Sequence, residues 1–467
     1  MIRSFRHALW LLLLLTPACT SVPTSVESVS PALPASPETA ADLSVAQAQP
    51  QPGAIRALRR QANASPPPSS LIRTEPLSTA PIRVELGKLP PPYATSSASN
   101  GPQVIDIPAN PTLKVPAGFT VNVFAEGLDA PRWLALTPTG DVLVTETRQD
   151  RIRLLGDRNQ DGVAELSQPF ATAQNGLAIP FGMAFAGDSF FVGNSASVLR
   201  FPYTPGQLAL TGAGQKIADL PGGGYNQHWT RNVVAAPDGR SLYVSIGSRS
   251  NADEEPLPRA SVQVMNLDGS GQKTFASGLR NPVGLDFHPV TGELHATVNE
   301  RDGLGDDLVP DYFTRIRQDE FYGWPYTYLS PDRLDPRHVV GDRSRNPNLA
   351  AQTLTPDVLF QAHSAALGLQ FYDGNTFPTK YQNGAFAAFR GSWNRDQGTG
   401  YKIVFVPFGA DHRPVGSYED FVTGFLVDPS RPTTWGRPVG LLALPDGSLL
   451  FTEEANGRIY RVQYQGG

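Results

Sequence analysis

One phrase returns six times along this chain, and few folds can accommodate it. A Gly- or Pro-containing turn leads into an apolar strand, a tight turn, a second strand and a polar loop. The copies begin at Pro131-Arg-Trp-Leu-Ala-Leu, Pro180-Phe-Gly-Met-Ala-Phe, Arg231-Asn-Val-Val-Ala-Ala, Pro282-Val-Gly-Leu-Asp-Phe, Leu367-Gly-Leu-Gln-Phe-Tyr and Pro438-Val-Gly-Leu-Leu-Ala-Leu. Each is followed by a second strand, such as Gly140-Asp-Val-Leu-Val-Thr-Glu or Gly447-Ser-Leu-Leu-Phe-Thr-Glu. The first four copies start about 50 residues apart, the period of an architecture in which each repeat is one small sheet. Insertions around 300–365 and 392–430 stretch the later spacings. Six copies predict an all-β fold, a six-bladed β-propeller over residues 106–467. Strand 118–124 is expected to pair with Arg458-Ile-Tyr-Arg-Val-Gln-Tyr and close the ring.

Composition agrees and removes rivals. The 467 residues include 44 Gly and 44 Pro but only 17% charged residues, which suits turn-rich β structure rather than helical bundles. Lys and Arg number 38 against 43 Asp and Glu, a formal charge of −5, so no basic surface invites nucleic acid. The lone cysteine, Cys19, rules out intrachain disulfides and Cys-ligated zinc or iron–sulfur clusters.

Residues 1–19 read as an export signal. Arg3, Arg6 and His7 precede an apolar run, Ala8 to Leu15, too short to span a bilayer. The run ends in Thr16-Pro-Ala-Cys19, which resembles a bacterial lipoprotein signal; ordinary cleavage with Cys19 discarded is the alternative. Either way the protein is expected outside the cytoplasm, periplasmic or at the cell surface, and lipid on Cys19 would hold it to a membrane surface. Residues 20–105 read as a disordered linker. Between Thr20 and Asn100 there are 14 Pro and a single aromatic, Tyr93, too little apolar surface to offset ordering entropy.

Among seven histidines, position separates the candidates. His288 and His295 fall within a strand pair and read as packed; His338 and His412 fall in polar loops and read as exposed; His363 is ambiguous, at a possible rim. His228 follows the Gly-rich Pro221-Gly-Gly-Gly-Tyr-Asn-Gln and precedes an inner strand, where propeller side chains converge on the axis. An imidazole there suits a general base near neutrality.

Six ordered motifs then carry a resemblance: Gln174-Asn-Gly-Leu, Gln227-His228, Gly278-Leu-Arg-Asn-Pro-Val-Gly-Leu, Asn299-Glu-Arg-Asp-Gly-Leu-Gly-Asp-Asp, Phe321-Tyr-Gly-Trp-Pro and Trp435-Gly-Arg-Pro-Val-Gly. In that order, one blade apart, they resemble the pyrroloquinoline-quinone (PQQ)-dependent soluble glucose, aldose and sorbosone dehydrogenases over the whole of 106–467. The resemblance implies PQQ and calcium as cofactors, a sugar substrate and an electron acceptor that it leaves unnamed. It implies that His228 takes the proton from a sugar hydroxyl as hydride passes to the quinone, with Arg280 stabilising the charge gained there. It further implies that Gln174 and Asn281 bond the cofactor edge, that Arg437 pairs with a carboxylate, and that Asp302 and Gly303 offer backbone carbonyls to calcium. Gln227 stands where glucose-oxidising members carry an acidic residue. The lysine that some members aim at the quinone has no clear counterpart, Arg390 or Arg395 being its nearest substitutes.

Separately, Asp157-Arg-Asn159-Gln-Asp161-Gly162 has part of the spacing of a calcium loop but lacks its final Glu, so a plain turn is equally compatible. Two other functions remain open: a calcium-dependent propeller hydrolase of the lactonase type, and a non-enzymatic sugar-binding propeller.

Overall fold

A computed structural model describes residues 67, 70–222 and 228–466. Five four-stranded antiparallel sheets follow one another along the chain, and a sixth blade takes its outer strands from before the first blade and grows to six strands. The inner strands are Pro131–Leu136, Met183–Ala186, Val233–Ala235, Asn281–Phe287, Ala366–Phe371 and Pro438–Ala443. They abut in cyclic order, the sixth against the first, so the sheets form a closed six-bladed propeller. Closure comes from Arg458–Tyr464 pairing antiparallel with Phe119–Ala125, in the register Tyr464↔Phe119 through Val462↔Val121, as the sequence predicts.

The recurring glycine has a packing cause. A Cβ on Gly284 would lie 2.4 Å from the Leu367 carbonyl oxygen, one on Gly368 2.3 Å from that of Val439, and one on Gly440 2.2 Å from that of Arg132. Glycine therefore sits where one inner strand touches the backbone of the next. Hydroxyls fasten the same seam. Thr297 Oγ1 donates to the Leu367 carbonyl and Thr452 Oγ1 to that of Arg132, both at 2.7 Å. The axis is filled by Trp133, Phe181, Val283, Leu367 and Val439, with Trp229 packed on them. Burying each such side chain is worth about 1.5–3 kcal/mol, so the centre of the ring is a packed core and the open space lies at one end.

The expected linker is shorter than 20–105. Leu71–Pro76 is a strand that adds to the sixth blade, pairing antiparallel with Phe119–Ala125 and parallel with Thr112–Val115. Ile82 bridges to Tyr418, and Gln103–Val104 pairs parallel with Thr433–Thr434. Composition misleads here because the hydrogen-bond partners of this Pro-rich segment come from the outer strand of the sixth blade and from segments far along the chain. Residues 1–66, including the signal segment and Cys19, lie outside the described residues, as does Gln227. Among the described residues no helix is long and apolar enough to cross a membrane.

Two histidine expectations change. His338 is buried, with Nε2 against the Ala252 carbonyl oxygen, and His412 is half-buried, its ring 5.3 Å from that of His288. His288 and His295 are buried among Phe371, Phe408 and Phe313, away from the open end. The Asp157 loop is closed by its own side chains. Asp157 accepts the backbone N–H groups of Asp161 at 3.1 Å and Gly162 at 2.8 Å, and Glu165 that of Arg158 at 2.7 Å.

Candidate active site

The loops that enter the inner strands and those that leave the second strands meet on one face of the ring. They enclose a cavity of about 270 Å³ whose lining includes His228, Arg280, Asn281, Asp302, His363 and Arg390.

His228 is fixed in one tautomer. Its Nδ1 lies 2.9 Å from both the carbonyl oxygen and Oγ of Ser248. Ser248 Oγ spends its own proton on the Ser250 carbonyl at 2.6 Å, so it can only accept from the ring. Nδ1 must therefore carry the proton, and in the neutral ring the lone pair sits on Nε2. Burial, reinforced by the Arg280 charge, pushes the imidazole well below its ordinary 6.5. This is a histidine kept neutral with one nitrogen available as a base.

Arg280 is immobilised on four sides. Nε donates to the Asn251 carbonyl at 3.0 Å, Nη1 to that of Glu300 at 2.5 Å, and Nη2 to Asn251 Oδ1 at 2.8 Å and Asp302 Oδ2 at 3.2 Å. Next to it, Asn281 Oδ1 is buried with no partner among the described residues. A buried amide oxygen left this way costs about 1–3 kcal/mol unless a ligand donor meets it.

A second cationic group surrounds Glu454. Arg132 and Arg390, both lining the cavity, contact its carboxylate, and Arg437 Nη1 stands 3.8 Å from Oε1. Burial opposes the charge on Glu454, yet these three guanidiniums hold it well below the usual carboxylate range. Burial and the Arg390 charge lower Arg437 to about 10, so it too stays charged near neutrality. Burial lifts the adjacent Glu453 to about 7, which leaves it only partly charged there. Three guanidiniums thus face one full carboxylate. The Arg132 guanidinium also lies 5.1 Å from the Trp229 ring centre and 5.5 Å from that of Phe181, within cation–π range.

The structure gathers His228, Arg280, Asn281 and Asp302 around one cavity and sets Arg437 just behind it. Gln174 is not brought in: it is exposed in the turn Ala173–Asn175, its N–H on Thr172 Oγ1. The Asp302 carbonyl already accepts from Asn251 Nδ2 at 2.9 Å and from the cationic Arg337 Nη1 at 3.2 Å, which does not fit a calcium ligand. Gly303 stands at φ 90°, its N–H donating to Asn394 Oδ1 at 2.9 Å. Sequence reasoning missed Arg132, Asn251, Glu454 and Asp311, whose carboxyl burial lifts to about 7. For Arg132 a signal existed: it occupies the repeat position held elsewhere by Phe181, Val283, Leu367 and Val439, and a charge at an axial position has a reason.

Comparison with known proteins agrees with this architecture. The sequence profile of the TrAA12-like family matches residues 113–320 and 336–465. An uncharacterised protein of Borreliella burgdorferi is 30% identical over 366 residues, which cover 76% of this chain and 91% of that one. A pyrroloquinoline quinone-dependent pyranose dehydrogenase of Coprinopsis cinerea is 24% identical over 416 residues, 76% of this chain and 55% of that protein. Among solved structures, the calcium structure of the Trichoderma reesei family AA12 enzyme superposes with a TM-score of 0.65 at 20% identity, covering 78% of this chain and 98% of that one. The holo PQQ domain of the Coprinopsis cinerea pyranose dehydrogenase gives 0.63 at 21% identity, with the same coverage. With most of its length inside the family profile, the chain belongs to the TrAA12-like family.

Proposed function

We propose that the protein is a PQQ-dependent dehydrogenase that oxidises the C1 carbon of an aldose or a similar sugar, with calcium as a second cofactor. The observation that carries this reading is His228: its proton is locked on Nδ1, its Nε2 has no hydrogen-bond partner among the described residues, and the fixed cation Arg280 lines the same cavity. The relatives named as PQQ-dependent sugar dehydrogenases lend support.

The lining suits the cofactor. PQQ supplies, when bound, a flat two-electron acceptor with three carboxylates, which takes hydride from the sugar carbon. The chain's own residues do the rest. Arg132 and Arg390 offer guanidiniums for carboxylates, and Asn281 Oδ1 offers an acceptor to a donor on the ligand. His228 Nε2 takes the proton of the C1 hydroxyl as that carbon loses hydride, giving a lactone. Arg280, held by Asn251, Glu300 and Asp302, keeps positive charge in place without reorganising. Calcium would need oxygens other than the Asp302 carbonyl, with that of Gly303 carried over from the sequence motif.

A propeller hydrolase would instead ring its axis with carboxylates. Here Glu300, Asp302 and Asp311 share the lining with Arg132, Arg280 and Arg390, but both carboxylate oxygens of Asp302 and of Asp311 already hold protein donors. Export, a lipid on Cys19 and an external electron acceptor belong to the same proposal. Export and the lipid rest on the sequence of residues 1–19, and the acceptor on the resemblance to quinone-dependent dehydrogenases.

The test is quinone binding by the full chain with and without calcium, followed by a panel of aldoses while the quinone absorbance is recorded. Calcium-dependent binding and bleaching by a sugar are expected. No binding at any calcium concentration overturns the proposal.

A further inference from the structure

Trp393 is 49% exposed, and among the described residues no other tryptophan is an exposed large apolar side chain. It also lines the cavity. A side chain that is both half-exposed and part of the lining stands at the opening.

Its backbone is held firmly. The Trp393 carbonyl accepts the N–H of Asn100 at 2.8 Å. The next residue, Asn394, accepts the Gly303 N–H at 2.9 Å and donates to Ser97 Oγ at 2.8 Å and to the Ala98 carbonyl. Before it, Ser392 N–H donates to the Thr399 carbonyl at 2.9 Å. Gly391 sits at φ 103°, where a Cβ would come within 2.2 Å of the Tyr401 ring. The segment 95–100, read from sequence as tether, thus straps down the loop that carries the indole. An indole fixed in water forgoes the burial that folding would give it, and such patches mark binding surfaces.

We infer that Trp393 is a platform on which the apolar C–H face of a pyranose ring stacks as the sugar enters the cavity. The inference deepens the sugar-oxidising reading and rests on it. A pyranose with equatorial hydroxyls has a flat face of axial C–H bonds and a polar rim. The indole matches the face, while Asp302 and His228 in the same lining match the rim. Open-chain polyols and aldehydes present no such face, so the platform selects closed rings.

Trp393→Ala and Trp393→Phe in the full chain test this by three readouts. Quinone affinity is expected within twofold of the parent. In the Ala variant KM for a pyranose rises about tenfold with kcat little changed, its preference over an open-chain alditol falls by the same factor, and the Phe variant recovers most of the loss. Calorimetric titration of the quinone-free chain with the pyranose gives the third readout, independent of whether quinone is the oxidant: weaker binding in the Ala variant supports the platform, and equal binding overturns it. An unchanged KM also overturns it. A rise in quinone dissociation constant with KM unchanged overturns it too, because the indole would then serve the cofactor.

Discussion

His363 Nδ1 stands 3.2 Å from Asp302 Oδ1, and the other oxygen of that carboxylate is the one that holds Arg280. His363 Nε2 faces the Gly305 carbonyl at 3.0 Å, so both ring nitrogens look at acceptors and the doubly protonated ring satisfies both. Burial is the largest single influence and works against that charge, but the Asp302 hydrogen bond and charge, the Gly305 carbonyl and the Asp311 charge together outweigh it and raise the histidine above its ordinary 6.5. A raised histidine contributes stability that is full below 6.5 and lost as pH climbs through the raised value. The stability difference between the parent and His363→Gln, followed by thermal unfolding across pH, should therefore shrink as the solution becomes alkaline. At the acidic end it should be about 2 kcal/mol, the scale of a hydrogen bond to a charged group.

His228 gives the opposite sign. Its folded value is depressed, so it remains a competent base at pH values below 6.5. The acid limb of kcat/KM, where this histidine sets it, should fall below pH 6.5. His228→Ala should keep quinone binding and lose about 10²–10⁴-fold in kcat. Full activity in that variant would remove His228 from the mechanism.

Glu454→Gln leaves Arg132, Arg390 and Arg437 without their shared counter-charge. Breaking a buried charge pair on one side costs about 3–5 kcal/mol. Urea unfolding should show a loss of this size, and added PQQ, whose carboxylates can take the place of Glu454, should restore part of it.

Gly368→Ala drives a methyl to 2.3 Å from the Val439 carbonyl between blades five and six. The expected cost is about 1–3 kcal/mol or more, the range for overpacking, read as a lower urea midpoint. Gly187, with nothing within 4 Å, is the contrasting site; Ala there should cost less, from its positive φ of 58° alone.

The repeat was legible because its glycines and seam hydroxyls answer to one local demand, repeated where blades touch. Arg280 was legible because it directly precedes an inner strand, and His228 because it lies on the approach to one, five residues before Val233. Glu454 was not, since nothing in Phe451-Thr-Glu-Glu tells which of two adjacent glutamates turns to three arginines 17, 64 and 322 positions away. Gln174 misled for a related reason: its motif marks the turn correctly, but the turn points outward. Tyr93 N–H on the Leu304 carbonyl at 2.7 Å shows why the linker was overextended, because the partner lies over 200 residues further along.

The strand pair that closes the ring joins Phe119–Ala125 to Arg458–Tyr464. During synthesis the first of these is made more than 300 residues before its partner and waits for it. Blade six cannot be completed until Tyr464 has emerged, so a ribosome-bound or half-translocated chain holds at most an open arc. A loop of this length adds only a logarithmic entropy cost at closure, and the delay is one of order of synthesis rather than of energy. If residues 1–19 direct export, the chain can cross a membrane unfolded and become a ring only on arrival.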